Sequence, residues 1–274
     1  MKKVFHSMFM ILFAAMTLSS CDSDKGIDDD FPETVETPGG AEAIAAINPN
    51  RVFTTGLPAA VDGRKITLDS KGRVIGIGNA TITYYENQSR GSGDYDGVLV
   101  YGDNKVSFCL NPQGLIKYIK SEDRFKSDID EIEEFWINYN SDYRISEIKE
   151  LDRDDDGNTV YYARFSYEKG NLTSVKVTEG KHTGMISVSY ADLNNPDGVS
   201  NKGHYYFDPF VDIYEDYLYY AGLLGIGSDK LPLKVTDMDG DDTYIWTFDN
   251  EGYPKMAKII ESDGDIDLEY FNWK

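Results

Sequence analysis

Apolar and polar residues alternate along much of the chain. "KVSFCL" (105–110) and "YYARFSY" (161–167) place successive side chains on opposite faces of a pleated strand, and Val, Ile, Tyr and Phe supply the apolar half. Between the strands one pattern recurs, an acid or amide followed by two variable residues and a glycine. It stands as "DSKG" (69–72), "NPQG" (111–114), "DDDG" (154–157), "DMDG" (237–240) and "DNEG" (249–252), with "YEKG" (167–170) and "ESDG" (261–264) as looser copies. The first side chain caps a type I turn, and the glycine supplies the left-handed residue that sends the chain back. Gly157 and Gly170 lie 13 residues apart, and Gly240, Gly252 and Gly264 lie 12 apart, the period of an up-and-down meander. The pattern predicts a mainly β protein, a large, strongly curved or barrel-like antiparallel meander sheet that must cover at least one face.

Two segments break the alternation, so one or two helical insertions are expected. "SEDRFKSDIDEIEEFW" (121–136) sets Phe125, Ile129, Ile132 and Trp136 at helical spacing behind a capping Ser121, although "FWINY" resumes a strand pattern. In "FDPFVDIYEDYLYYAGLLGIG" (207–227) Asp208 can cap and Pro209 suits the first helical position. Phe210, Ile213, Tyr217 and Ala221 then line one face until Gly222, Gly225 and Gly227. This helix is placed to plug or cover one side of a curved sheet.

The start of the chain has a different character. Lys2 and Lys3 precede an apolar run, Val4 to Met16, too short to span a bilayer, and no second apolar segment follows it. The run ends in "LSSC" (18–21), which resembles a bacterial lipobox and makes Cys21 the expected lipid-attachment residue. The acyl chains of Cys21 would hold a soluble domain on a lipid bilayer without a transmembrane helix. The division expected is a signal peptide (1–20), an acidic disordered tether (21–47) rich in Pro and Gly, and a single antiparallel β domain (48–274). Acids behind the cysteine, continuing through Asp28, Asp29 and Asp30, are similar to the signal that carries Bacteroides-type lipoproteins to the outer face of the outer membrane. In other Gram-negative groups Asp after the cysteine would suggest retention at the inner membrane. The expected location is the outer membrane, lipid-anchored and surface-exposed.

Composition narrows the partners. The formal charge is −21, and removing residues 1–20 takes away two lysines and no acids, so the remainder is more acidic still and repels nucleic acid. With Cys21 acylated, Cys109 would be the one cysteine left, expected as a packed thiol within a strand.

Candidate chemistry is sparse. Asp152, Asp154, Asp156 and Gly157 occupy positions 1, 3, 5 and 6 of an EF-hand loop, yet position 9 is Val160 and position 12, which needs a bidentate Glu, is Ala163. The stretch reads better as one more hairpin turn, with calcium capture as the other reading. His6 leaves with the signal, and His182 and His204 sit in "EGKHTG" and "KGHYY". There is no HExxH, no G-x-S-x-G and no phosphate loop, so no catalytic, cofactor-binding or metal residue is assigned. Tyr84, Tyr85, Tyr161, Tyr162, Tyr205 and Tyr206 are candidates for a binding face; adjacent tyrosines point to opposite faces, so at most one of each pair reaches a cleft, and cross-strand packing is the plainer reading.

"NPNRVFTTGLP" (48–58), "NKGHYYFDPF" (201–210), "YYAGLLGIGSDKLPLKV" (219–235) and "FDNEGYPKMAKI" (248–259), in this order behind a lipobox, resemble a family of Bacteroides-type lipoproteins with a domain of unknown function described as having a porin-like fold. The resemblance implies a curved or barrel-like antiparallel sheet with a helical insertion, and brings no activity and no functional residues. A transmembrane barrel is the literal alternative, but strands such as "RISEIKEL" and "NLTSVKVTEG" carry several polar residues where lipid would demand apolar ones. The expected function is a non-catalytic binding or assembly module for a glycan, lipid or protein ligand, with a glycan-active hydrolase using paired carboxylates as the alternative.

Overall fold

A computed structural model describes residues 37–53, 56–61, 63–86, 94–125, 128–154, 157–180, 182–202, 205–206 and 215–273. The signal segment and Cys21 lie outside them. The strands are β1 (Ala60–Val61), β2 (Arg64–Leu68), β3 (Val74–Ile77), β4 (Ala80–Tyr84), β5 (Gly97–Tyr101) and β6 (Asn104–Leu110). Longer ones follow: β7 (Ile116–Phe125), β8 (Asp128–Tyr139), β9 (Ile145–Asp154), β10 (Gly157–Glu168), β11 (Asn171–Glu179) and β12 (His182–Ser189). After them come β13 (Val199–Ser200), β14 (Lys230–Leu231), β15 (Lys234–Thr236), β16 (Asp241–Phe248), β17 (Pro254–Ile260) and β18 (Ile266–Tyr270). Two short helices complete the described set, α1 (Gly40–Ala45) and α2 (Glu215–Tyr220).

Among the described residues sixteen strands form one sheet in chain order, β1 to β12 and then β15 to β18, and neighbouring strands are antiparallel. β13 and β14 pair separately, within the connection from β12 to β15. This is the meander that the turn spacing predicts. The two ends of the sheet approach each other at one point, where the Gly63 amide donates to the Asn272 carbonyl at 3.1 Å.

The recurring turns explain the register. At 69–72, 111–114 and 249–252 the glycine amide donates to the carbonyl of the first residue, and the glycine has φ of 78°, 75° and 83°. The first side chain accepts from the backbone two and four residues on, as Asp69 does from Lys71 and Arg73 at 2.8 and 3.0 Å. One further copy has no glycine to reveal it. Asn140 to Tyr143 makes the same bonds, with Tyr143 itself at φ 62°. At "DDDG" Asp154 is paired with Gly157 at the end of the β9–β10 ladder.

The first helix expected from sequence is absent. Ser121 lies within β7, opposite Val106 and Glu133, and the run to Trp136 continues into β8. What decides it is the period-two pair Phe135 and Ile137, 2% and 4% exposed, which face the core beside Ile148 and Ala163. Ladder bonds on both sides then hold a segment whose Ile spacing mimics a helix. The second helix is present over Glu215–Tyr220 with Tyr217 and Ala221 buried, while Asp208, Pro209, Phe210 and Ile213 lie outside the described residues. Residues 40–45, within the stretch whose composition suggests a tether, form α1, and Ala43 and Ile44 are fully buried, so the fold includes residues before Asn48.

The sheet wraps around α2 and the residues after it. Leu218, Ala221 and Leu223 are fully buried, Tyr220 stacks on Phe53 and meets Trp273 edge-on, and Arg64 covers Tyr217 while pairing with Asp216 at 2.7 Å. Further along, the insertion is stitched to turns at one end of the sheet. Ile116 donates to Leu223, Ile226 to the Tyr143 carbonyl, and Asp229 to Gly170, at 2.9 to 3.1 Å. The Arg144 guanidinium bonds the Gly227 carbonyl and the Asp229 carboxylate. One core therefore runs from β2 to the C-terminal Trp273 through the insertion.

Candidate functional site

The candidate tyrosines mostly pack. Tyr84 donates to the Val74 carbonyl at 2.8 Å beneath Arg73 and beside Phe108, and burial pushes its phenol pKa up. Tyr85 is half-buried, and its amide donates to the Asp96 carbonyl at 2.8 Å. Tyr161 lies opposite Glu150 and Glu179, whereas Tyr162 stands on the other face between Lys149 and Arg164 with its hydroxyl on Glu147. Tyr205 meets Trp246 and Phe271 edge-on, and its hydroxyl donates to Glu269 at 3.4 Å. Burial first, and the Glu269 charge second, hold that phenol protonated. Tyr206 stacks on Tyr219 at 4.4 Å. The six are spread over different parts of the sheet and its insertion and form no common binding face.

One cavity lies beside the insertion. Lined by Ile145, Phe165, Leu172, Tyr206, Leu224 and Ser228, among others, it holds about 20 Å³, room for roughly one water. Cys109 is fully buried, as its strand pattern predicts. His182 is exposed on β12 opposite Glu179, and His204 lies outside the described residues. Of the three aspartates, Asp152 is half-buried opposite Thr159 and Glu133, and Asp156 lies outside the described residues. Val160 and Ala163 run up β10 opposite Leu151 and Ile148.

The feature that stands out lies on the outside, across the last three strands. On β16 and β17 the inner positions are Tyr244, Trp246 and Ala257, which pack in the core, and the outer ones include Ile245 and Met256. β18 inverts the usual order. Asp267 and Glu269 pair with the inner-face residues Ile259 and Ala257, while Ile266, Leu268 and Tyr270 point outward, 57%, 37% and 63% exposed. With Ile245, 47% exposed, and the half-buried Met256 and Ile260, they make a continuous apolar surface with Lys258 at its centre. Alternation in "DIDLEY" says which residues share a face. It does not say that the apolar face looks outward, and by itself it suggests the opposite.

Carboxylates crowd one margin of this surface. Gly240 and Ser262 are in close approach, bringing the β15–β16 and β17–β18 turns together with Asp237, Asp241, Asp242, Glu261, Asp263 and Asp265. Burial first, and then the charges of Asp237, Asp263 and Asp241, raise the Asp242 carboxyl above its ordinary range; Glu261 is raised in the same way, with Asp263 and Asp242 as its nearest like charges. A carboxyl whose folded pKa is raised binds its proton more tightly in the folded state, so stability falls as pH rises through that window. Asp242→Asn is therefore expected to raise the melting temperature at pH 7 and to lose that advantage below the ordinary carboxylate pKa of about 4, as thermal melts at the two pH values will read.

No family model matches the chain, and no curated protein matches it. Two solved structures share its architecture. One is a porin-like protein from Bacteroides uniformis, 14% identical, with a TM-score of 0.53 over 77% of this chain and 90% of that one. The other is a porin-like protein from Bacteroides vulgatus, 12% identical, with a TM-score of 0.57 over 80% of this chain and 99% of that one. At such identities the likeness is one of fold alone, and the chain has the fold of these porin-like proteins of Bacteroides.

Proposed function

We propose that the protein is an outer-membrane lipoprotein, anchored through an acylated Cys21 and surface-exposed, and that it works as a non-catalytic contact module for another protein. The observation that carries the contact role is the inverted last strand. Three apolar side chains of β18 face solvent while its two acids face the core. Exposing them costs the isolated domain free energy, and a covering partner returns it. The lipobox and the acidic, Pro- and Gly-rich sequence behind it support the anchoring half.

The two halves are tested separately. Radiolabelled palmitate is expected to enter the protein in its native host and to be absent from Cys21→Ala; equal labelling of both overturns anchoring. The purified protein is expected to show no turnover on a glycan panel. Hydrolysis abolished by a single carboxylate substitution overturns the non-catalytic reading and favours the hydrolase.

A further inference from the structure

We infer that β18 is a strand-addition edge that takes an extended, cationic segment of a partner protein, one in which apolar residues alternate with Lys or Arg. The inference rests on the outer face being a contact surface and adds how the contact is made. Phe271 donates to the Lys255 carbonyl at 2.9 Å, which fixes the phase of the β17–β18 ladder. The backbone groups of Glu269 and Asp267 then point to β17, and those of Ile266, Leu268 and Tyr270 point away from it. Among the described residues no strand pairs on that side. On this side the Gly63 amide of the β1–β2 turn donates to the Asn272 carbonyl, and the Leu268 amide is occupied by the Asp267 carboxylate at 2.8 Å. A strip of main-chain donors and acceptors thus borders directly on the apolar side chains of the same three residues.

The charges select the occupant. A strand added beside β18 sets one row of side chains against Ile266, Leu268 and Tyr270 and the other against Asp267 and Glu269. The first row must be apolar and the second basic, because like charges directly opposite destabilise a strand pair. The neighbouring carboxylates Glu261, Asp263 and Asp265 favour the same sign. A second copy of this chain fits poorly, since antiparallel pairing of β18 with itself about Leu268 puts Asp267 against Glu269 twice, between chains of formal charge −21. Inward acids on an edge strand also block neutral strands, so the same two residues reject the wrong partner and admit the right one.

The test uses the full chain and a fluorescein-labelled heptapeptide alternating lysine with valine, with its glutamate counterpart as control, read by anisotropy at low salt. The lysine peptide is expected to bind at least about tenfold more tightly than the glutamate one, and added salt should narrow the difference. Tyr270→Pro removes an amide that the β17 ladder does not use, so circular dichroism and melting should stay near wild type while lysine-peptide binding falls about tenfold or more. Leu268→Ser, which leaves the main-chain edge intact, should weaken binding through the outer row alone. Binding lost in Leu268→Ser but unchanged in Tyr270→Pro overturns strand addition and leaves the outer face standing as a contact surface. Equal affinity for the two peptides, or none for either, overturns the proposal, as does sedimentation showing a dimer that Leu268→Lys dissociates. Anchoring and catalysis are read independently, from palmitate and turnover.

Discussion

Replacing Asp96 by alanine is expected to lower the unfolding free energy by about 3–5 kcal/mol, the largest loss for any single carboxylate described above. Asp96 is completely buried beside β5. Its Oδ2 accepts from Gly39 at 2.6 Å and Leu110 at 2.8 Å, and its Oδ1 accepts from Gly40 at 2.8 Å. Three main-chain donors, two of them at the start of α1, converge on one carboxylate. Alanine removes the acceptor from all three; the Leu110 amide is buried and the Gly39 and Gly40 bonds are partly so, and a fully buried orphaned amide costs about 1–3 kcal/mol before the chain relaxes. Asp96→Asn should cost less, because its carbonyl oxygen still accepts while its amide group faces donors. Urea titration gives the magnitude, and hydrogen exchange locates it. The Gly39 and Gly40 amides should lose protection first, since α1 is held to the sheet chiefly here. Unchanged exchange at these two amides in Asp96→Ala would mean that α1 is held by its apolar contacts instead.

Gly225→Ala is expected to cost about 2–5 kcal/mol, from two independent sources. Gly225 has φ 83°, where a side chain strains the backbone, and an added Cβ would overlap the carbonyl oxygen of Tyr143. That oxygen is the acceptor for Ile226, so the insertion cannot shift without breaking the bond that docks it on the β8–β9 turn. Gly222 presents a similar case against Asn48 and Pro49, with an added Cβ at 2.7 Å from backbone atoms of both. Differential scanning calorimetry of Gly225→Ala should show a lower melting temperature; a melt indistinguishable from wild type would place the insertion outside the cooperative core.

The comparison of sequence with structure is uneven in an instructive way. The turns at 69–72, 111–114 and 249–252 were legible because one glycine and one capping side chain define them locally. The turn at 140–143 carries its capping Asn140 but puts Tyr143 in the glycine position, under Arg51 at 5.1 Å, so no glycine marks it in the sequence. Residues 121–136 misled because Ile and Phe three or four apart satisfy a helix, while the partners that make them strands lie in β6 and β9. α1 was hidden by composition. Ala, Gly and Glu look solvated until Asp96, more than fifty residues away, supplies the acceptor that holds them. The outer face was the least legible of all, because periodicity separates two faces without stating which one meets the core.

Pairing of each strand with its chain neighbours has a consequence for how the molecule is made. Every hairpin from β2 to β12 can form from contacts between adjacent segments, so β-structure can grow as the polypeptide emerges, at little loop-closure cost. The approach of Gly63 to Asn272 is the opposite kind of contact, one that joins the two ends of the sheet and must wait for the last hairpin. The insertion between β12 and β15 enters the chain before that moment and is stitched to turns already formed. Placed there, it can serve as a mandrel on which the sheet curls.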